Sequence, residues 1–149
     1  MFTKSLCATL ALVGFALAQS CPEALRFGGL TITPQPIVLG QEITFEANFT
    51  CAIELGYAPV YTDYTLVVPA SNNSGFQPPV YFARRDGPAS GIDKFTVTFD
   101  PTYSPFVVYP DAQYDIVLAS THAASNDSYG TTLTTGSISY GVSITQASD

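Results

Sequence analysis

The sequence predicts an all-β fold in which seven antiparallel strands form two layers. Three observations carry that prediction. Seven short segments alternate apolar with polar residues at a period of two, which turns one face inward and the other toward water. Clusters of Gly, Pro, Asn, Asp and Ser separate these segments at spacings suited to strand turns. After residue 18 no segment shows the 3.6-residue apolar period of an amphipathic helix.

The chain opens with Met1-Phe2-Thr3-Lys4 and an apolar run from Leu6 to Ala18, the layout of a secretory signal peptide. As a helix that run spans roughly 20 Å, too short for a ~30 Å hydrocarbon core. Ala16-Leu17-Ala18 is a small-x-small cleavage site, so residues 1–18 are expected to leave, with Cys7, and residues 19–149 to form one secreted domain. Removing the first 18 of 149 residues leaves 131, enough for a single sizeable core. No second long apolar segment follows, and the chain ends polar in Thr-Gln-Ala-Ser-Asp. The expectation is therefore a soluble extracellular product with no membrane span.

Losing Lys4 with the leader takes the formal charge from −7 to −8. Such a chain has no basic footprint to neutralise phosphates, which argues against nucleic acid and anionic membranes as partners. Charged residues make up only 11% of the chain, so Ser, Thr and Asn supply much of the polarity, as in domains solubilised partly by glycans. Three sequons are present: Asn48-Phe49-Thr50, Asn72-Asn73-Ser74 and Asn126-Asp127-Ser128. The expected glycosylation sites are thus Asn48, Asn72 and Asn126. Two cysteines survive cleavage, Cys21 and Cys51, and in an oxidising compartment they have one internal pairing.

Taken in order, Leu30–Thr33 reads as a short strand stopped by Pro34-Gln35-Pro36. Gln41–Cys51 alternates cleanly, with Ile43, Phe45, Ala47, Phe49 and Cys51 on one face and Asn48 on the wet one. A hairpin of these two strands turning near residues 36–37 would bring positions 21 and 51 together. Residues 52–61 read as a loop presenting Tyr57 and Tyr61. Asp63–Pro69 is the third strand, with Tyr64, Leu66 and Val68 inward. Pro79–Arg85 is the fourth, an edge strand by virtue of its prolines, with Val80 and Phe82 inward. Asp93–Asp100 is the fifth, with Phe95, Val97 and Phe99 inward. After a bulky connection comes Tyr114–Ser120, the sixth. His122–Gly130 reads as a polar loop, and Ile138–Thr145 as the last strand.

The sixth strand carries the most specific local pattern. Pro110-Asp111-Ala112-Gln113 is turn chemistry, and it delivers Tyr114 into an alternating run with Ile116 and Leu118. This stretch resembles the tyrosine corner of immunoglobulin-like and fibronectin type III-like sandwiches, where a Tyr opening strand F hydrogen-bonds to backbone just upstream. The resemblance implies a seven-stranded antiparallel immunoglobulin-like sandwich with Tyr114 as its structural corner. The chain has no Trp and no inter-sheet cysteine pair at the antibody positions, so the resemblance is to the generic sandwich. In general style the chain is similar to small secreted fungal proteins.

Chemistry is sparse. His122 is the single histidine, no Gly-x-Ser-x-Gly elbow exists, and a solvated loop residue is the plain reading of it. Zinc or copper would lack nitrogen ligands, and the surface acids Asp111, Asp115 and Asp127 lack the spacing of a calcium loop. No catalytic residue, metal or cofactor is expected. Arg84-Arg85 reads as charge guarding a sheet edge. Tyr57, Tyr61, Tyr81, Tyr109 and Tyr129 fall outside the alternating core and are the candidate ligand contacts, because tyrosine offers rigid amphipathic area. The function read from this is non-catalytic binding or surface interaction with an extracellular protein, glycan or lipid. One alternative is a lipid-binding sandwich similar to the ML (MD-2-related lipid-recognition) family, with Phe45, Phe49, Phe82, Phe95 and Phe99 lining a cavity; that family's multiple disulfides are absent. A remoter one is a small hydrolase using His122.

Overall fold

Residues 21–126 and 130–146 are described by the computed structural model. The expected leader, Tyr129, and the Asp127 and Ser128 of the third sequon lie outside the described residues. A 3-10 turn at Glu23–Leu25 leads into β1 (Gly29–Thr33), β2 (Ile37–Val38) and β3 (Glu42–Asn48). Helix α1 (Thr50–Glu54) follows, then β4 (Pro59–Val67), β5 (Val80–Asp86) and β6 (Ile92–Thr98). Helix α2 (Ser104–Val108) precedes β7 (Tyr114–Asn126), β8 (Gly130–Val142) and β9 (Ile144–Thr145).

The fold is all-β, as predicted, with nine strands among the described residues rather than seven. Antiparallel ladders order one layer β1-β3-β6 and the other β5-β4-β7-β8. The two additional strands, β2 and β9, form a short parallel pair. Pro34 and Pro36 cannot donate to a ladder, so the chain leaves β1 there. Ile37 then donates to the Ser143 carbonyl at 2.9 Å and Leu39 to that of Thr145 at 2.9 Å. This step buries Ile37 and Leu39 against the side of the core.

The core lies between the layers, and an aromatic cluster runs through it. Phe45 on β3 stacks on Phe95 of β6 with ring centroids 5.4 Å apart and meets Phe82 of β5 at 5.3 Å. Tyr64 on β4 stands edge-on to Phe95 at 4.8 Å, and Phe82 edge-on to Phe99 at 5.1 Å. Edge-to-face aromatic pairs contribute about 1 kcal/mol each beyond the area they bury. Four of the five phenylalanines that could have lined a lipid cavity thus contact one another, and Phe49 is fully buried beside them.

Tyr114 is buried where β7 begins, and its hydroxyl is shared between the carbonyls of Pro105, at 2.9 Å, and Tyr109, at 2.5 Å. Burial, reinforced by the charge of Asp111, raises its pKa. Tyr114 thereby ties the start of β7 to α2 and to the residue that follows it.

Several expected boundaries shift. The strand at 41–51 ends at Asn48, whose side-chain oxygen accepts the Thr50 N–H at 2.9 Å and turns the chain into α1. Cys51 is consequently helical rather than the fifth residue of that strand face. The register from Gly29↔Asn48 to Thr33↔Thr44 puts the fold-back at Val38–Leu39 rather than 36–37. Cys21 and Cys51 are bonded, with Cα atoms 5.2 Å apart, but the 3-10 turn and α1 bring them together, not an extended ladder. Residues 122–126, expected to open a loop, continue β7 and pair through to β8. His122 is accordingly a strand residue.

Candidate functional site

A β-bulge creates the main surface feature. Pairing of β4 with β5 runs Asp63↔Arg84 and Tyr64↔Ala83, then shifts to Thr65↔Tyr81, leaving Phe82 as the extra residue. A bulge breaks strict alternation. Without it Tyr81 and Arg84, three positions apart, would point to opposite faces. With it, both lie on the outer face beside Asp63, while Phe82 and Ala83 turn toward the core.

Asp63 is the hub of this patch. Its Oδ1 accepts from Arg84 Nε at 2.7 Å and from the Tyr81 hydroxyl at 2.7 Å, and its Oδ2 accepts from Arg84 Nη2 at 2.8 Å. The guanidinium also lies over the Tyr61 ring, 4.4 Å from its centroid, a cation–π arrangement. Tyr81 remains 55% exposed, so the patch is ordered but open to solvent. The Arg84 hydrogen bonds hold the Asp63 carboxyl below its ordinary pKa. The bond to Asp63 in turn raises the Tyr81 phenol and the Arg84 guanidinium. Across the rest of the same face, the register aligns Asp63 with Ala119 and Ser137, and Thr65 with Val117 and Ser139.

The sign of the Asp63 shift gives a pH prediction. A carboxyl whose folded pKa is depressed contributes stability above its unfolded value of 3.8, and that contribution is lost as pH falls through the folded value. The patch should therefore be unchanged from neutral pH down to the ordinary carboxylate range and come apart only in stronger acid. Tyrosine emission reads this directly, since the chain has no Trp. In Asp63→Asn the acid-induced emission change assigned to Tyr81 should disappear; its persistence would place the transition elsewhere.

The Arg84-Arg85 pair divides its roles. Arg85 points the other way, where Nε and Nη2 both reach Asp93 Oδ1 at 3.2 Å. Asp93 Oδ2 accepts from the Tyr64 hydroxyl at 3.1 Å. Asp93 belongs to β6 in one layer, and Tyr64 and Arg85 to the other, so this cluster ties the two layers at their open side.

The candidate tyrosines do not gather into one site. Tyr61 and Tyr81 share the Asp63–Arg84 patch. Tyr57 is half-buried and packs edge-on to Phe27 at 5.9 Å and to His122 at 5.0 Å. Tyr109 sits at the other end, lining a shallow hollow of about 270 Å³ with Asn72, Pro110 and Asp111. Of the sequon residues, Asn48 and Asn72 are exposed. Asn48 also borders a cleft of about 700 Å³ on the outer face of β1 and β3, with Leu25, Glu46 and Glu54 around it.

His122 is 6% exposed, not solvated as expected, because Phe27 stacks over it at 6.0 Å and Tyr57 closes the side. Its Nε2 pairs with the Thr134 hydroxyl at 2.8 Å, and Nδ1 has no partner among the described residues. Among the described residues no carboxylate is hydrogen-bonded to the ring, the contact by which a hydrolytic triad orients its histidine. Phe27 reaches this place only because residue 136 is glycine: a Cβ there would lie 2.2 Å from the Phe27 ring. Among the described residues no group of three or more His, Cys, Asp or Glu could hold a metal ion. Nor is any described helix long and apolar enough to cross a membrane.

Simple alternation concealed Asp63, Arg84 and Asp93 as a set. The available signal was the alternation conflict in Val80-Tyr81-Phe82-Ala83, where two adjacent apolar residues, Phe82 and Ala83, compete for the inner face. No family model, curated protein or solved structure matches the chain.

Proposed function

We propose that this chain is a secreted, non-catalytic, immunoglobulin-like β-sandwich that binds an extracellular protein through the Tyr61–Asp63–Tyr81–Arg84 patch. One observation carries the assignment: an exposed aromatic and guanidinium cluster is already locked by three short hydrogen bonds to one carboxylate. Binding surfaces lose affinity to the ordering of side chains, and a pre-ordered cluster avoids that loss. Tyrosine and arginine are also the residue types that dominate binding hot spots. The immunoglobulin-like reading is supported by the corner at Tyr114 and by the division of the seven long strands. The first, second and fifth form one layer, and the fourth, third, sixth and seventh the other. Secretion rests on the 1–18 leader, with glycans at Asn48, Asn72 and Asn126 on the mature domain 19–149. The filled aromatic interior favours this reading over lipid carriage, and the shielded His122 favours it over hydrolysis.

The test compares the native protein with Tyr81→Ala/Arg84→Ala for binding to the surface and matrix of the cells that secrete it. Loss of two hot-spot side chains should weaken binding about thirtyfold or more, with the melting temperature little changed. Undiminished binding by the variant would end the assignment of this face. Binding that survives surface proteolysis but not glycan removal would make the ligand a glycan.

A further inference from the structure

Among the described residues four strands stand at the edges of the two layers, and three of them are guarded. β5 carries Arg84, Arg85 and Asp86 and the Phe82 bulge. β6 carries Asp93 and Lys94. β1 has only five residues and runs into two prolines. Charge, bulges, shortness and proline are the devices that stop an edge from pairing with another chain.

β8 has none of them. It is thirteen residues long, Gly130–Val142, and contains no Asp, Glu, Lys, Arg or Pro. Its register with β7 is continuous from Tyr114↔Val142 to Asn126↔Gly130, with no bulge. Among the described residues β7 is its only ladder partner. From 132 to 141 every residue except Gly136 and Ile138 is exposed. Thr, Ile, Tyr and Leu along it suit a pleated surface.

We infer that β8 is an association edge, and that its occupant is β8 of a second copy of this chain. Two-fold pairing of identical strands is necessarily antiparallel, and it would join two four-stranded layers into one continuous sheet. Thirteen residues extend about 43 Å, long enough for a ladder that satisfies the outward N–H and C=O groups of both copies. The acidic balance does not oppose this. Among the described residues the acid nearest the edge by register is Asp115, opposite Gly141 near one end of the strand. An antiparallel partner places its own Asp115 at the other end, roughly 25 Å away if the ladder is centred near Ser137. That is beyond the ~8 Å screening length at physiological salt. The inference is independent of whether the Tyr81 patch binds a ligand.

Sedimentation velocity of the secreted, disulfide-intact protein across a concentration series tests it. The native chain should show a monomer–dimer equilibrium, and Ser137→Lys/Ser139→Lys should raise the dissociation constant roughly tenfold or more. Lysines at two exposed loop positions, Ser71→Lys/Ser90→Lys, should leave it unaltered. Hydrogen exchange of the native chain should show alternate amides of β8 slowing as concentration rises, a readout that needs no variant to fold. A monomer at every concentration would overturn the proposal. So would a dimer indifferent to the β8 lysines, or concentration-dependent protection confined to another strand. A monomer that captures an extended peptide of different sequence along β8 would overturn the choice of occupant.

Discussion

Replacing Cys51 with serine is expected to lower the unfolding free energy by about 3.5 kcal/mol, the chain-entropy value for a loop of this size. The bridge closes 30 residues, and opening it frees the unfolded chain to sample far more conformations. The native state also loses an anchor. Cys21 begins the segment that carries Phe27 onto Gly136 and His122, and no strand pairing holds residues 21–28. Cys21→Ser should match Cys51→Ser, and Cys21→Ala/Cys51→Ala should cost as much as either, because the loss belongs to the constraint and not to a stray thiol. Urea titration provides the measurement. The midpoint should fall and the slope rise, since an uncrosslinked chain exposes more surface on unfolding. An unmoved midpoint would mean that the packing of Phe27 and Leu30 holds the N-terminal segment by itself.

The sequence made the layers legible because their inner faces are strongly apolar. Ile43, Phe45 and Ala47 are buried as alternation requires, and so are Tyr64, Leu66 and Val68, and Tyr114, Ile116 and Leu118. The seven long strands follow from these segments and their turns. Where alternation carried no hydrophobic contrast, it failed. Residues 121–126 and 130–136 are rich in Thr, Ala, Ser and Gly, so neither face stands out, and His122–Gly130 reads as a loop from sequence. There the strand is specified by backbone pairing and by contacts distant in sequence, Phe27 and Tyr57 closing over His122. The patch was half legible. Tyr61 and Tyr81 lie off the core face by alternation, but the bond of Tyr81 to Asp63 and the placement of Arg84 over Tyr61 depend on one bulged residue. A bulge is a register decision between two strands, and a period-two pattern within one strand does not encode it. The β2–β9 pair was hidden for a related reason, since two residues cannot display a period.

Asp93→Ala is expected to cost about 2–3 kcal/mol, the largest effect of any single charged residue described in the core. Asp93 is 6% exposed on the inner face of β6, opposite Ala47. Its two oxygens serve two partners, the Tyr64 hydroxyl and the Arg85 guanidinium. Removing one member of a buried charged pair leaves the other uncompensated, which costs about 3–5 kcal/mol when both are fully desolvated. Arg85 is 44% exposed and can turn to water, so its share is reduced. Tyr64 cannot: it is fully buried, and its orphaned hydroxyl carries a desolvation cost of about 1–3 kcal/mol. Removing the tyrosine hydroxyl as well should therefore recover stability. In a double-mutant cycle, Tyr64→Phe/Asp93→Ala should be less destabilised than the two single changes added together, whereas unconnected sites would simply add. The alkaline side gives a second readout. Burial first, and then the Asp93 charge, raise the Tyr64 pKa above its ordinary 10.0. A raised phenol contributes stability that is complete below the unfolded pKa and is lost as pH climbs toward the folded one. In Asp93→Ala the phenol should ionise at lower pH than in the native protein while staying above its ordinary range, because burial persists. If the Tyr64 titration is unmoved and the cycle is additive, the tie between the two layers is not a working contact.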